Sequence, residues 1–233
     1  MIEIRKGNIF TTECQTIVNT INCVGIMGAG IAYEFRLRHK DMFEKYQDFC
    51  NKSLINIGKL WIYKVNDKDT RYDNILNFPT KQHWKYPSKI EYLEEGLTKF
   101  LDTYKEKGIT SIAFPLLGSS KGGISEDSSF FIMKKYLSQC DIKIEIWYFD
   151  PCAKDDLYDR FKSKFLELDD DLIKEQSKLR LDSIRKIKSA LKNDSTTSIS
   201  GLLNIKGIGE VSLEKSFYFI KNYNKNNTHL FNL

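Results

Sequence analysis

The chain of 233 residues has no apolar run near the ~18 to 20 residues that a membrane-spanning helix requires, which excludes a membrane-embedded protein. Its opening, MIEIRKGNIF, carries charges at positions 3, 5 and 6 where a secretory signal needs an uninterrupted apolar stretch, so a cytoplasmic location is expected. Cysteines are few and odd in number. Cys14, Cys23, Cys50, Cys140 and Cys152 are widely spaced, form no CxxC pair, and have only His39, His83 and His229 as co-ligands. That pattern argues against a disulfide framework and a zinc site, and no metal or other cofactor is expected. Neither sign of charge is in large excess: 36 Lys and Arg against 31 Asp and Glu give a formal +5, which permits a polyanionic ligand without identifying one.

What is present is a core. With 41% hydrophobic and 13% aromatic residues, the chain can fill one domain plus an appendage. Over 1–150, short apolar runs alternate with helical patterns, which predicts an α/β domain built on a central sheet. Strands are expected at 2–5, 16–20, 59–65, 74–78, 111–114 and 143–149. One helix is expected after Pro87, with Ser88 as N-cap and Glu91 three residues on, running through Leu93, Leu97, Phe100 and Tyr104 to Gly108. Another should cover 127–137, and a third should start among the glycines and include Ile31, Phe35 and Leu37.

After Asp150-Pro151 the strand-like runs disappear. Leu157, Phe161, Phe165, Leu168 and Leu172 recur at steps of 4, 4, 3 and 4, one face of a single amphipathic helix that packs back on its own chain or seats a partner. The polar 193–200 segment, NDSTTSIS, is expected to separate that helix from a last small unit. There, 200–222 resembles a helix-hairpin-helix element, in which Gly207 and Gly209 bring backbone N–H groups near a DNA phosphate and Lys206 adds charge. A plain glycine turn between packed helices fits the same residues.

Two glycine-rich loops carry the chemistry. In 16–32 a β-branched strand runs into Gly25, Gly28 and Gly30 and then into a helix, a geometry that presents N–H groups and a helix N-terminus to phosphates. The spacing is neither a Walker A motif nor GxGxxG, and a tight structural turn is the alternative. The segment 115–124, PLLGSSKGGI, repeats the plan, and two such loops leaving one sheet edge would wall a single phosphate cleft. Within it Lys121 is either a phosphate partner or a solvated loop lysine. Lys81 ends a third strand beside Pro79-Thr80 and His83-Trp84; desolvation there would lower its pKa, whereas a nearby phosphate would raise it. His83 reads as structural or gating rather than as a base.

NTINCVGIMGAGIA, NFPTKQHWK, IEYLEEGL and AFPLLGSSKGGIS, in this order and spacing, resemble macrodomains of the DarG type, DNA ADP-ribosyl glycohydrolases that act as antitoxins. The likeness spans 1–151, leaving 152–233 as a helical C-terminal region. It implies a three-layer α/β/α sandwich with ADP-ribose across the sheet crest, hydrolysis of the bond between ADP-ribose and a thymidine-type DNA base, and a DarT-like toxin as partner. Carried onto this sequence, it places Asn8 and Ile9 at the adenine, Asn22 at the distal ribose, and Phe149 where an aromatic stacks on adenine. Gly25, Ile26, Met27, Gly28, Ala29 and Gly30 match the first phosphate loop, and Leu117, Gly118, Ser119, Ser120, Lys121, Gly122 and Gly123 the second. Thr80 and Lys81 match the FPTK motif, with Lys81 catalytic and Asn22 assisting it.

Three departures accompany the likeness. Asn8 stands where many macrodomains have aspartate, Ser119-Ser120 where the DNA-directed branch commonly has Cys-Gly, and Lys121 is an addition. A related human enzyme acting on protein-linked ADP-ribose has an aspartate in the second loop. This chain has no acid there, which sets it apart from that branch. A noncatalytic ADP-ribose reader would share both loops but has no use for Lys81.

Overall fold

The computed structural model describes residues 1–66, 70–153, 155–193 and 196–228; His229, and 194 and 195 of the polar segment, lie outside them. The chain divides into two compact units, Met1–Asp150 and Pro151–Leu233. Among the described residues, no helix is long and apolar enough to cross a membrane.

The first unit is built on six strands, β1 (Ile2–Gly7), β2 (Thr16–Asn22), β3 (Trp61–Lys64), β4 (Asn74–Lys81), β5 (Ser111–Pro115) and β6 (Lys143–Phe149), in the order β1-β6-β5-β2-β4-β3. All neighbours are parallel except β3, which runs antiparallel to β4 at the edge. Parallel strands need helical crossovers, and those helices cover both faces of the sheet. On one face α3 (Ile90–Thr103) and α4 (Glu126–Leu137) bury Leu93, Leu97, Phe100 and Met133 against Val18, Phe78, Ile112, Phe114 and Ile146. On the other, α1 (Gly30–Arg38) and α2 (Lys40–Asn51) bury Phe35, Met42 and Tyr46 against Ile17, Ile21 and Ile75. The alternation along β2, Ile17 one way and Val18 the other, divides the two cores. The result is the expected three-layer α/β/α sandwich.

Close approach of α3 to the sheet depends on Gly96: a Cβ there would lie 2.2 Å from the Phe78 ring. The start of α3 departs from the sequence expectation. Ser88 does not cap it; the N-cap is Lys89, which makes no side-chain cap bond. Ser88 is instead buried, and its N–H donates to the Gly122 carbonyl at 2.8 Å, a tertiary bond that holds it away from the helix end.

Among the described residues, the elements of the second unit are all helical: α5 (Asp156–Glu167), α6 (Asp170–Ser177), α7 (Leu181–Leu191), a 3-10 turn (Ser200–Asn204) and α8 (Glu210–Thr228). The single helix expected through Leu172 is two. Asp169 accepts a hydrogen bond from the Asp171 N–H at 2.8 Å and starts a new helix, which buries Ile173 rather than Leu172. No separate last unit follows. Helix α8 packs on α5 and α6, with the Phe217 ring 6.2 Å from Phe161, and Leu202, Leu213 and Phe217 share a core with Phe165, Ile184 and Ile187. The element before Gly207 is a 3-10 turn, so the hairpin has one full α-helix and one short turn.

Candidate functional site

Every sequence-selected residue of the first unit falls at the carboxyl ends of the parallel strands or in the loops leaving them. Along the crest, in sheet order, come Asn8 after β1, Phe149 at the end of β6, the 116–123 loop after β5, Asn22 and the 23–29 loop after β2, and Lys81 at the end of β4. Gly7 is the register partner of Phe149, and Asn22 that of Lys81. Ligands of open parallel sheets bind in this position, where helix N-termini and loop N–H groups converge.

The first loop is folded by Asn22. Its Oδ1 accepts from the N–H groups of Val24 at 3.0 Å and Ile26 at 3.3 Å, and its Nδ2 donates to the Ile26 carbonyl at 2.5 Å. Three further carbonyls are drawn inward: Asn22 accepts from the Tyr46 hydroxyl at 2.8 Å, Gly25 from Gln47 Nε2 at 3.4 Å, and Met27 from Arg36 Nη1 at 3.3 Å. Cys23, Val24 and Ile26 spend their N–H groups inside the protein, unlike the N–H groups at the end of the loop. Those of Gly28, Ala29 and Gly30 have no acceptor among the described residues, and the α1 N-cap, Ala29, supplies no capping side chain. Gly25 at φ +78° and Gly30 at φ +57° take left-handed backbone that other residues adopt with strain.

The second loop closes on itself. Gly122 N–H donates to the Ser119 carbonyl at 2.8 Å, Gly123 N–H to Ser120 at 3.2 Å, and Ile124 N–H to Gly118 at 3.0 Å. Ser120 sits at φ +49°, a left-handed conformation uncommon for a residue with a Cβ. The N–H groups of Ser120 and Lys121 are left without an acceptor among the described residues. From below, Ser88 fixes the loop: a Cβ on Gly122 would lie 2.7 Å from Ser88 Oγ, and one on Gly118 3.1 Å from Ser88 Cβ.

Lys81 is bonded to the second loop. Its Nζ donates to the Lys121 carbonyl, while the Lys121 side chain passes 4.0 Å from the Cβ position of Gly30. Partial burial holds the Lys81 pKa below its ordinary value, as desolvation at this position was expected to do. Cys23, at the start of the first loop, has its thiol pushed up to about 11 by burial and by the neighbouring Cys50, which leaves it protonated at neutral pH.

At the far end of the crest, Phe149 is 75% exposed, with its ring available for stacking. Asn8 caps the 3-10 turn Ile9–Thr11, its Oδ1 accepting from the Phe10 N–H at 3.1 Å, so the amide oxygen is engaged in folding. Glu145 anchors the end of that turn to β6, accepting from Thr12 Oγ1 at 2.7 Å and from Trp147 Nε1 at 2.9 Å, with the Lys143 ammonium at 3.1 Å. Burial alone would raise the Glu145 pKa; these bonds outweigh it and hold the carboxyl low. Ile9, Met27, Thr80 and Leu117 are buried, so their side chains shape the floor of the site. Tyr46, Gln47 and Arg36 escaped sequence reasoning, and Ser88 was expected only as a helix cap, because only through-space contact reveals their role at the loops.

In the second unit Gly207, at φ +90°, lies against the aliphatic stem of Lys186, 3.3 Å from its Cβ position, whereas Gly209 faces open space. Lys206 is exposed beside them.

Two glycine loops with N–H groups that lack an acceptor among the described residues, an exposed aromatic and a half-buried lysine share the crest of this three-layer α/β/α sandwich. The Macro domain family model matches residues 18–133, and the chain belongs to that family. It is 39% identical over 124 residues to a Mycobacterium tuberculosis protein described as a DNA ADP-ribosyl glycohydrolase, an alignment of 53% of this chain and 35% of that one. The solved macrodomain of Mycobacterium tuberculosis DarG matches with a TM-score of 0.61 and 34% identity over 63% of this chain and 97% of that one. Thermosipho africanus DarTG, solved in complex with ADP-ribose, matches at 0.58 and 33% over 62% and 40%. The chain thus spans about a third of the length of the curated relative it matches.

Proposed function

We propose that the chain is an ADP-ribosyl glycohydrolase that removes ADP-ribose from modified DNA bases and so reverses the action of a DNA ADP-ribosyltransferase. The single observation that carries this reading is Lys81, half-buried at the end of β4 and bonded to the second loop, where the crest would deliver the distal ribose. A reader needs the two loops but not a partly buried amine at the ribose end. The names of the relatives support it: the Mycobacterium protein is a DNA ADP-ribosyl glycohydrolase, and the Thermosipho protein is a fusion of DNA ADP-ribosyl transferase and glycohydrolase.

In this reading the N–H groups of Gly28–Gly30 and Ser120–Lys121 hold the diphosphate, Phe149 stacks on adenine beside Asn8 and Ile9, and Asn22 keeps the first loop in shape under the distal ribose. Binding energy from these remote groups orients the anomeric carbon. The Lys81 amine attacks that carbon as its bond to the base breaks, and the proton lost from the nitrogen goes to the leaving base. The resulting glycosylamine opens its ribose ring, the C–O bond breaking and the ring oxygen taking the second amine proton, to give an imine; water then hydrolyses the imine, releasing ADP-ribose and returning the amine. Burial, by lowering the Lys81 pKa, enlarges the free-amine fraction that such a step uses. The Gly207–Gly209 turn and Lys206 of the second unit contact DNA phosphates, and a DarT-like toxin is the partner whose product this chain consumes.

The test is an oligonucleotide carrying ADP-ribosylated thymidine, incubated with wild type and with Lys81→Ala. Release of ADP-ribose by wild type alone sustains the reading. Binding of ADP-ribose without release by either makes the protein a reader.

A further inference from the structure

We propose that the turn immediately after Lys81 is a nucleobase-stacking surface that engages the unpaired DNA strand next to the ADP-ribosylated base. The inference rests on the reading of the site given under Proposed function, and it names the surface that distinguishes a nucleic-acid substrate from a protein-linked one.

Residues 81–90, KQHWKYPSKI, hold three lysines, two large aromatics and a histidine, and no carboxylate. The turn is compact: the Tyr86 N–H donates to the His83 carbonyl at 3.2 Å, and the Lys85 N–H donates to His83 Nδ1 at 3.2 Å. It gathers three rings. Trp84 lies 5.6 Å from His83 at an interplanar angle of 26°, and Tyr86 lies 5.5 Å from His83. These rings face solvent, with Trp84 50% and Tyr86 65% exposed, whereas Trp61 and Trp147 are both half-buried. At its root the turn is tied to the first glycine loop, the Gln82 carbonyl accepting from the Cys23 N–H at 3.3 Å, and that loop exposes Val24 and Ile26. Lys85 Nζ is 5.3 Å from the Trp84 ring centroid. Among the described residues, Lys85, Lys89 and Lys121 are in no ion pair.

Large rings left in water without a core role mark a binding surface, and the chemistry here selects the occupant. An apolar protein partner would have no use for three lysines without a compensating acid. A single-stranded nucleic acid alternates flat bases with phosphates, and proteins meet it with exposed aromatics interleaved with cations. In a duplex the bases are stacked on each other, so the rings of this turn can meet only an unpaired strand. The turn begins at Lys81, so the base it stacks is adjacent to the one from which ADP-ribose is removed.

The experiment compares the full chain with Trp84→Ala, the Trp84→Ala/Tyr86→Ala double variant and Trp84→Phe. The substrates are ADP-ribosylated thymidine nucleoside, a single-stranded oligonucleotide carrying the same base, and an ADP-ribosylated peptide. Losing one stacked base is expected to lower kcat/KM on the oligonucleotide at least about fivefold, with nucleoside and peptide turnover and the Kd for ADP-ribose unchanged, and Trp84→Phe restoring most of the rate. Wild-type turnover of the oligonucleotide by the double variant, or an equal loss on nucleoside or peptide, overturns the inference. If wild type releases nothing from nucleoside or oligonucleotide, the glycohydrolase reading fails instead. Binding of fluorescent, unmodified oligothymidylate then decides the stacking surface by itself: at least fivefold weaker binding by the double variant sustains it, and equal binding overturns it.

Discussion

The Tyr46 hydroxyl donates to two oxygens of a single residue, the Asn22 main-chain carbonyl at 2.8 Å and Asn22 Oδ1 at 3.0 Å. Both partners are buried, and Asn22 in turn organises the first glycine loop, so a tyrosine on α2 sets the shape of that loop through a single residue. Tyr46→Phe leaves a buried carbonyl without a donor, a loss of about 1 to 3 kcal/mol. Expected outcomes are a lower melting temperature and about tenfold weaker ADP-ribose binding by calorimetry.

Lys81→Ala should reduce glycohydrolase activity at least about a hundredfold while leaving ADP-ribose affinity within a few fold, since the loops that hold the diphosphate do not depend on its charge. The pH profile has a definite sign. Only the free amine attacks, so kcat/KM rises with pH and levels off above a pKa below the ordinary lysine value of 10.5. Borohydride trapping of a covalent adduct by wild type, absent in Lys81→Ala, checks the same step; a profile that falls through that range assigns Lys81 as proton donor.

Gly122→Ala brings a Cβ to 2.7 Å from Ser88 Oγ. The second loop must shift, and ADP-ribose binding is expected to weaken about tenfold, in line with overpacking losses of ~1 to 3 kcal/mol. Adding Ser88→Ala removes the clashing hydroxyl and should recover part of the affinity. A double variant no better than Gly122→Ala would show that Ser88 does not set this loop.

Asp141 lies between the end of α3 and β6, accepting from the Tyr104 hydroxyl at 2.6 Å and the Lys105 ammonium at 2.7 Å. These bonds, Lys105 first, pull its pKa down from 3.8 to about 2. A carboxyl depressed on folding contributes stability that is present above its unfolded pKa and lost as pH falls through the folded one. Acid unfolding should therefore steepen between about pH 4 and 2, and Asp141→Asn should flatten that limb.

Lys206→Glu in the full chain should weaken binding to unmodified duplex DNA and reduce the salt dependence by about one phosphate contact, without changing turnover of the modified nucleoside. Fluorescence anisotropy at several salt concentrations reads this directly. Unchanged affinity would make the Gly207–Gly209 turn purely structural.

Much of this protein is written locally. Each expected strand of the first unit has its counterpart, because β-branched runs and their bounding turns are neighbours in sequence, and β6 matches its expected span at both ends. The glycines at 25, 28 and 30 and at 118, 122 and 123 announced two loops before any fold was known, since left-handed backbone demands them at 25, 30, 118 and 123. Local signals also misled. Ser88 followed by Glu91 has the form of a capping box, yet a carbonyl 34 positions away claimed the Ser88 N–H. The apolar stripe through Leu172 has helical spacing, but Asp169 restarted the helix.

The sequence by itself determined the alternation of strands and helices, the two glycine loops and the placement of Lys81 at a strand end, all properties of residues within a few positions of one another. Only the tertiary structure decided that Tyr46, 24 residues from Asn22, shapes the first loop, and that Lys81 reaches the second loop 40 residues away. The physical reason is that a parallel sheet brings its carboxyl-end loops together only after its crossovers are packed. The partners of a loop N–H, a buried hydroxyl or a partly buried amine are therefore chosen by the finished fold and not by the neighbouring sequence.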